Sequence, residues 1–348
     1  MNKTHLGSLQ KGMTIIELMI AIALGLILVA VAVQMFISAQ ASYALQRSLA
    51  DLQDNGIFGL EYLAKDVRKA NLGASTQVLD SKVAQGGLIL SQGNVTPHLT
   101  TNGAVFEAAN FSSSGSELSQ PSNFKQQNSD QLTVQFKATQ SLYDEYALSK
   151  KIAIGLTSDE KNQVVGYDCE GNKITLDEVT QQTYIIQRYF VRPEASDATE
   201  LVLACAAGRY KLVDVQNAQA NTTEESFKAI NLNGFTAKKG EIILKRVEHF
   251  HYLLGVAEGV YTEPKKFRYL TVKDYKALSA NVPHIRSIKL GLVLRSHERV
   301  SKSSVSNENS YQVLDQKNLV LTSGKDQFLR QVVTQTVALR NALGEDER

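Results

Sequence analysis

One acidic residue, Glu17, stands at the start of a long apolar stretch, and its distance from Gly12 and Met13 suggests a specific chemistry. From Leu18 to Gln46 the chain carries no charged side chain, and a carboxylate inside such a stretch is costly and by default functional. Proteolysis between Gly12 and Met13 would create an α-amine that is mostly protonated near neutral pH. This amine could pair with Glu17. The alternative is an uncleaved anchor in which Glu17 has no role.

The residues before the apolar stretch form a short basic leader, in which Lys3 and Lys11 carry the charge. An ordinary secretory signal is cleaved after its apolar region, so that region is lost. A cut after Gly12 would instead keep the apolar region in the mature chain, and residues 1–12 are the predicted leader. The two lysines favour a cytoplasmic amino terminus, with the body on the far side of the membrane.

The overall charge gives no reason to expect nucleic acid or acidic lipid as a partner. The 348 residues have a formal net charge of +2, and losing the two leader lysines would make the chain formally neutral. The sequence contains three scattered basic pairs, Lys150-Lys151, Lys238-Lys239 and Lys265-Lys266. We interpret them as solvated surface without the interleaved aromatic residues that are expected of a nucleic-acid-binding face. No nucleic-acid partner is therefore predicted.

One continuous helix is predicted over residues 14–70, with residues 13–37 in the membrane and residues 38–70 amphipathic. Asn55, Gly56 and Gly59 weaken its middle and predict a bend or a melted turn. Asn71 and Gly73 form a stop signal after the last basic turn. The apolar stripe that should face the body consists of Leu45, Leu49, Leu52, Leu60, Leu63 and Val67.

Small residues in the membrane half predict close helix packing. Ala21 and Gly25 are spaced i, i+4, and Ala32 follows on the same side, which is the spacing of membrane helices that associate by packing. The alternative is that Ala and Gly are simply common in membrane helices.

The body, residues 73–348, is predicted to be β-rich and mainly antiparallel, giving an α+β protein with a membrane-spanning helix packed on a sheet. Residues 73–130 should be loop-dominated with one or two short strands, and Ser112–Asn128 should be mobile. Leu244–Glu248 fits a strand or a short helix. The other predicted strands are Gln131–Ala138, Thr183–Arg192, Leu201–Ala206, Tyr210–Val215, Tyr252–Val256, Ile285–Arg295 and Gln331–Leu339.

The two cysteines, Cys169 and Cys205, predict one disulfide in an exported chain, with two unpaired buried thiols as the alternative. His249 and His251 would lie on one strand face, but without a third ligand they are interpreted as two partly exposed histidines and not as a metal site. The nucleotide-binding, hydrolase and metalloprotease motifs are missing from the sequence. No catalytic residue, metal or cofactor is predicted.

These features together resemble a known family. The segment Lys11–Leu18 resembles the class III signal of type IV prepilins and of type II secretion pseudopilins. Residues 285–296, residues 328–341 and the Cys169/Cys205 pair resemble the PilW family of minor type IV pilins, which is similar to pseudopilin J. The match departs from many major pilins, which have Phe at mature position one and Pro at position twenty-two, whereas Met13 and Gln34 stand here.

The resemblance implies cleavage by prepilin peptidase, N-methylation of Met13 and no enzymatic activity. It implies assembly with other minor pilins and with the major pilin, which would prime the fibre and place the chain in it or at its tip. Glu17, with Thr14 beside it, is the predicted assembly residue. The predicted location is the bacterial inner membrane with the body in the periplasm. A type II secretion pseudopilin, or a membrane-anchored periplasmic binding protein or enzyme, are the alternatives.

Overall fold

The protein is described from a computed structural model. The described residues are 12–74, 76–95, 99–101, 104–105, 112–114, 120–139, 159, 162–213, 226–230, 240–258, 266–279, 282–300, 310–324 and 326–342. Residues 1–11 of the predicted leader and the lysines at positions 150, 151, 238, 239 and 265 lie outside this range.

The described chain contains one long helix, two helices of one turn and fifteen strands. The helices are α1 (Ile15–Val67), α2 (Leu176–Thr180) and α3 (Val272–Lys276). The strands are β1 (Leu99–Thr101), β2 (Ala104–Val105), β3 (Leu132–Lys137), β4 (Val164–Tyr167), β5 (Lys173–Thr175), β6 (Tyr184–Pro193), β7 (Leu201–Val213), β8 (Ser226–Ile230), β9 (Glu241–Lys245), β10 (Val247–Glu258), β11 (Lys266–Leu270), β12 (His284–Arg299), β13 (Tyr311–Val313), β14 (Gln316–Leu319) and β15 (Phe328–Ala338).

Helix α1 has 53 residues and is about 80 Å long at the standard rise per residue. It is unbroken, so the predicted melted turn at residues 55–59 is wrong. It ends at Val67, three residues before the predicted end, and Asn71 then adopts a left-handed conformation at φ 65°. The stop signal at Asn71 is thus confirmed.

The glycines of α1 serve close packing. A Cβ atom on Gly59 would lie 2.6 Å from Leu244 Cδ2, and one on Gly56 would lie 3.0 Å from Val333 Cγ1. A side chain at Gly59 would require Leu244 to shift, and one at Gly56 would be tight against Val333, so the two glycines allow the second half of α1 to approach the body closely.

The predicted apolar stripe is correct in its second half and wrong at its start. Leu52, Leu60, Leu63 and Val67 are buried. Leu49 is 43% exposed, and Ser48 takes the buried position instead. The contact with the body therefore begins about one helical turn later than the sequence suggested.

Two sheets form the body. In sheet 1 the described strands are ordered β2-β1-β8-β7-β6-β3, with β9 also paired to β7. In sheet 2 the order is β11-β10-β12-β15. Among the described pairs only β1 and β8 run parallel, so the predicted antiparallel α+β architecture is confirmed. One buried apolar cluster contains residues of α1 and of both sheets.

Most predicted strands are present, but several differ in their limits. The two strands predicted between Leu201 and Val215 are one strand, β7, because β6 pairs with it continuously from Leu201 to Tyr210. The ambiguous segment Leu244–Glu248 contains the end of β9 and the start of β10. The two strands are separated by Arg246, whose φ of 59° breaks the extended conformation.

Sheet 2 has an inner and an outer face. Ile288, Leu290, Leu292 and Leu294 alternate along β12 and are all buried, as predicted. The outer face is partly covered by residues 120–130 and by the β13–β14 hairpin. Phe124 is buried there in a small cluster with Val293 of β12. The described part of the segment that was predicted to be mobile is thus packed against the sheet.

The glycine contact gives a first prediction. Gly59→Ala should lower the free energy of unfolding by about 1–3 kcal/mol, because the added methyl group overpacks the contact with Leu244. Thermal or denaturant unfolding of the full chain in detergent measures this change. Gly25→Ala is the matched control, because a Cβ at Gly25 meets no atom within 4 Å. Equal stability of Gly59→Ala and wild type would contradict the packing role.

Candidate assembly site

The predicted cleavage site lies in an exposed, non-helical segment. Gly12, Met13 and Thr14 precede α1 and are all exposed, and a Cβ at Gly12 would meet no atom within 4 Å. Thr14 is extended, with φ −77° and ψ 151°. The bond between Gly12 and Met13 is therefore open to an enzyme that approaches the helix from its amino-terminal end.

Glu17 and Thr14 form a capping box at the start of α1. The Glu17 amide donates to Thr14 Oγ1 at 3.3 Å, and the Thr14 amide donates to Glu17 Oε2 at 3.4 Å. This arrangement satisfies two amides that the helix itself leaves free. It also holds the carboxylate at the Thr14 amide, one residue after Met13, where cleavage would place the new amine. Glu17 and Thr14 were predicted to act in assembly, and the structure shows that they also cap the helix.

The first half of α1 makes no contact with the body. Helix α1 is long and apolar enough to cross a membrane by length and composition, and none of its most apolar stretch is buried in the described structure. An apolar surface of this size is not stable in water. It requires lipid or other helices around it.

Ala21 and Gly25 lie on this uncovered half of the helix. The structure of the single chain brings no partner to them, so their role in helix packing stays a prediction.

A further apolar row runs along the outside of α1 and was missed by sequence analysis. Its members recur every seven residues and are all exposed: Ile15, Ile22, Val29, Phe36, Tyr43, Ala50 and Ile57. Residues seven apart in a straight helix drift about 20° around the axis per repeat, so only a partner helix that winds around α1 would contact every member of the row. The row extends past the charge-free stretch, to Ile57, which is 67% exposed beside Phe58. We call it the outer row.

Polar contacts fix the second half of α1 to the body along its length. Arg246 donates to the Asp51 carboxylate at 3.0 Å, and both side chains are partly buried. Further along, the Tyr189 hydroxyl donates to Asp66 at 2.9 Å, where Tyr189 is fully buried in sheet 1. Lys69 neutralises the same carboxylate at 2.6 Å.

The end of α1 is joined to the end of the described chain by two asparagines. Asn71 Nδ2 donates to the Asn341 carbonyl at 2.7 Å, and Asn341 Nδ2 donates to the carbonyls of Arg68 and Ala70 at 3.2 Å. Since the last carbonyls of a helix lack partners within it, Asn341 acts as a cap supplied from the far end of the sequence.

The structure contains a disulfide between Cys169 and Cys205, with their Cα atoms 6.1 Å apart. Cys169 follows β4, and Cys205 lies in the middle of β7. Arg209, four residues further along β7, binds Asp168 at 2.8 Å and Glu178 at 2.7 Å, so ion pairs reinforce the covalent link between this loop and sheet 1.

His249 and His251 are buried on the outer face of sheet 2, which corrects the prediction that they are partly exposed. They are buried because residues 120–130 and the β13–β14 hairpin, which are distant in the sequence, cover them. His251 lies between two carboxylates, with Nδ1 2.6 Å from Asp130 and Nε2 2.7 Å from Asp315. Both ring nitrogens can donate only in the protonated ring, so His251 carries a positive charge.

His249 is held in the opposite charge state. Its Nδ1 lies 2.9 Å from the Ser122 hydroxyl, and its Nε2 lies 2.7 Å from Gln316 Oε1. Burial lowers the pKa of His249 to about 4. Burial also opposes the charge on His251, but the hydrogen bonds that its ring donates to Asp130 and Asp315 outweigh this effect and raise the pKa of His251 to about 9.

These histidines do not form a metal centre. Within the described ranges, no group of three or more His, Cys, Asp or Glu side chains is arranged to hold a metal ion. Both rings already have protein partners on both nitrogens. The two histidines instead connect β10 to residues 120–130 and to the β13–β14 region that packs over the sheet.

Comparison with family models shows which families the chain is similar to. Residues 205–341 match the family model described as Type IV Pilus-assembly protein W, PilW, and residues 7–33 match the prokaryotic N-terminal methylation motif. The chain is thus similar to the PilW family over this part of its length. The PilW match begins at Cys205 and ends at Asn341, so it includes one disulfide cysteine, all of sheet 2 and the residue that caps α1.

A type IV-like pilin from Thermus thermophilus is similar in structure, with a TM-score of 0.35 and 10% sequence identity over 84% of this chain and 96% of that one. A TM-score of this size is too low to establish a common fold. The search of curated proteins gives no significant match.

The disulfide should contribute strongly to stability. It closes a separation of 36 residues, and reducing it should lower the free energy of unfolding by about 4 kcal/mol, because the unfolded chain gains freedom. Denaturant unfolding with and without dithiothreitol measures the change. The double variant Cys169→Ala/Cys205→Ala should reproduce the value and should not respond to dithiothreitol. A reduced wild type as stable as the oxidised one would contradict this.

The two histidines predict an optimum of stability near pH 6.5. A raised pKa adds stability that is present in full below the unfolded-state pKa of 6.5 and lost as the pH rises through about 9, as expected for His251. A lowered pKa adds stability that is present above 6.5 and lost as the pH falls through about 4, as expected for His249. The His251 share is up to about 3 kcal/mol.

Denaturant unfolding at pH 6.5 and pH 9.5 tests the alkaline half of this prediction. His251→Gln should be less stable at pH 6.5 and should lose much less stability than wild type on going to pH 9.5. His297→Gln is the control, because His297 is exposed near the end of β12 and should keep the wild-type loss. An alkaline loss in His251→Gln equal to that of wild type would refute the role of His251.

Proposed function

We propose that this chain is a minor pilin of the PilW family that helps to initiate type IV pili. Prepilin peptidase would cleave it between Gly12 and Met13, and the Met13 amine would be methylated. The apolar half of α1 would then leave the inner membrane and pack among the helices of other minor pilins and of the major pilin, with the chain in the fibre or capping its tip. The role is structural and not catalytic, in line with the family.

The single observation that carries this proposal is the uncovered first half of α1 with one carboxylate at its start. The matched methylation motif includes this segment. In a membrane, Glu17 at the end of the helix can reach interfacial water. Among packed helices it loses that water, and a buried unpaired carboxylate costs several kcal/mol. An amine at Met13 of the same or of a neighbouring subunit supplies the compensating charge.

The amine also needs the carboxylate. The amino-terminal end of a helix carries a partial positive charge, which disfavours a cation and favours an anion. A protonated Met13 amine would lie next to the first turn of α1, where Glu17 Oε2 already accepts from Thr14. Pairing at the correct axial position therefore favours subunit addition, whereas a shift of one turn leaves both charges uncompensated.

The outer row supports helix packing beyond the membrane segment. Tyr43, Ala50 and Ile57 are exposed on the side of α1 that faces away from the body. They continue the apolar row of the membrane half into the part of the helix that water surrounds in an isolated chain. A neighbouring helix that contacted the row in the membrane would contact it here as well.

The proposed location is the inner membrane with the body in the periplasm. The leader lysines favour this orientation, and the disulfide between Cys169 and Cys205 fits an oxidising compartment. No step of the proposed assembly requires a cofactor or metal.

Two conservative substitutions separate the charge of Glu17 from its capping role. Glu17→Gln keeps an acceptor for the Thr14 amide, because Gln also serves in a capping box, but it removes the charge. Glu17→Asp keeps the charge on a shorter side chain. We expect both variants to be cleaved. Glu17→Gln should reduce the number of pili to about that of a strain that lacks the gene, whereas Glu17→Asp should retain most of the pili.

Electron microscopy of surface pili and mass spectrometry of the amino terminus are the measurements. A mature chain that begins at methylated Met13 supports the proposal. Wild-type pilus numbers with Glu17→Gln would exclude charge pairing. A chain that begins at Met1 in functional fibres would exclude processing, and with it the proposed function.

A further inference from the structure

Sheet 2 ends in two outermost strands. Within the described part of the chain, β15 pairs only with β12, and β11 pairs only with β10. The free edge of such a strand presents a row of backbone N–H and C=O groups that can bind another strand. Natural edges are blocked by proline, by lysine or by a short length, whereas β15 has 11 residues and contains neither proline nor lysine.

The hydrogen bonds to β12 show which residues of β15 face its free edge. The Leu339 amide donates to the Arg286 carbonyl at 2.9 Å, and in an antiparallel pair such bonds recur at every second residue. The residues two and four positions before Leu339 therefore bond to β12, and the residues between them direct their backbone groups away from it. These alternate residues are exposed near the end of the strand: Thr334, Thr336 and Ala338.

The opposite edge strand, β11, carries two exposed aromatic rings. Phe267 is 70% exposed and Tyr269 is 46% exposed. Since Leu270 packs against the inner core and side chains alternate along a strand, both rings leave the outer face of sheet 2. Each ring therefore stands at an edge, on the same face as the exposed residues of β15.

The strand order makes these two edges complementary. The described sheet 2 has four strands, and each neighbouring pair in it is antiparallel, so β11 and β15 run in opposite directions. A second copy placed beside the first, with its α1 pointing the same way, therefore brings its β11 antiparallel to β15. The same alternation directs the backbone groups of the outer-face residues in both edge strands towards the free edges, so the two rows can bond to each other.

We propose that β11 of one copy adds to β15 of a second copy, so that sheet 2 continues from one subunit to the next. Tyr269 then lies opposite Thr336, an aromatic–β-branched pair of the kind that stabilises antiparallel strands, and Phe267 lies opposite Ala338. Within one chain the registers across β10 and β12 place Tyr269 level with Ala338. The second copy is therefore displaced by two residues, about 7 Å, along the strands.

The proposal requires that α1 holds both copies in one membrane or fibre. It does not require that the chain initiates pili. Because β11 has only 5 residues, the pairing is weak in solution and depends on the high local concentration that a shared membrane provides.

The charges on the inner side of the two edges have opposite signs. Lys266 and Arg268 alternate with the rings of β11, so their side chains leave the inner face. Beside β15 the inner face carries Glu61 of α1, which accepts from Gln335 Nε2 at 3.3 Å. Glu61 also binds Arg68 at 3.0 Å, yet its side chain is 59% exposed. The added strand thus brings its cations to the side on which this carboxylate lies.

Pairing of two β15 strands is excluded by the direction of α1. Helix α1 runs parallel to β15, since Gly56 lies at Val333 and Arg68 at Asn341. Two β15 strands paired antiparallel would therefore point their apolar half-helices in opposite directions, away from a common membrane. The edge accepts the opposite edge of a neighbour instead, and such a head-to-tail contact extends along a row of copies.

Cross-linking of the full chain with a short bismaleimide tests the proposal. Cys169 and Cys205 are joined in a disulfide, so only introduced thiols react. Phe267→Cys and Ala338→Cys chains are produced together in the membrane of a host that lacks other pilin genes. We expect a cross-linked dimer from the mixture, and about tenfold less from either variant alone, because like edges do not meet in a head-to-tail contact.

Two further variants make the experiment specific. Thr336→Pro removes an amide that faces the free edge and leaves the bonds to β12 in place, since proline is tolerated on that side of an edge strand. It should unfold at close to the wild-type temperature and reduce the cross-linking about tenfold. Thr322→Cys, in the exposed turn after β14, replaces Ala338→Cys as a control for random collision and should give no more dimer than a single variant.

Three results would overturn the proposal. The first is as much dimer from Ala338→Cys alone, or from the Thr322→Cys mixture, as from the mixture of the two edge variants. The second is unchanged cross-linking with Thr336→Pro. The third, in a strain with pili, is cross-linking of Ala338→Cys to another protein in place of this chain, which would assign the edge to a different strand. Mass spectrometry of the amino terminus in the same samples reports processing at Met13 separately.

Discussion

The packing of the second half of α1 against both sheets is the contact on which the rest of the molecule depends. Leu52, Leu60 and Leu63 are buried, and Gly56 and Gly59 allow the helix backbone to come close to Val333 and Leu244. This contact holds the helix in one orientation, so that its first half projects from the body uncovered. The same helix thus meets two different surroundings, and the boundary between them lies near Ser48, where burial begins.

The elements that the sequence predicted well are those whose signal is local. The charge-free stretch, the single carboxylate at Glu17 and the alternation along Ile285–Arg295 each occupy a short window, and the structure places the helix and strand there. The predicted orientation of the helix was less accurate. Leu49 fits a stripe of leucines in the sequence, yet it is exposed, since the first contact with the body is made by Ser48 and Leu52.

What the sequence could not show depends on residues that are distant in the chain. His251 is buried between Asp130 and Asp315, and His249 between Ser122 and Gln316, all more than 60 positions away in the sequence. Gly56 and Gly59 suggested a weakened helix in the sequence, whereas in the structure they pack against Val333 and Leu244. The alternation of Lys266, Phe267, Arg268 and Tyr269 was visible in the sequence. Only the structure shows that both rings are exposed on one face.

The contacts along α1 have a mechanical consequence. Arg47 pairs with Glu298, Gln335 donates to Glu61, and Asn341 donates to the Arg68 carbonyl. Helix α1 therefore runs antiparallel to β12 and parallel to β15, with polar contacts along the length of its second half. If the first half of α1 is anchored in a fibre and the body is pulled away, the tension acts along the interface between α1 and these strands. All the contacts then bear the load together in shear and do not break one after another, which is the geometry in which weak bonds resist force best.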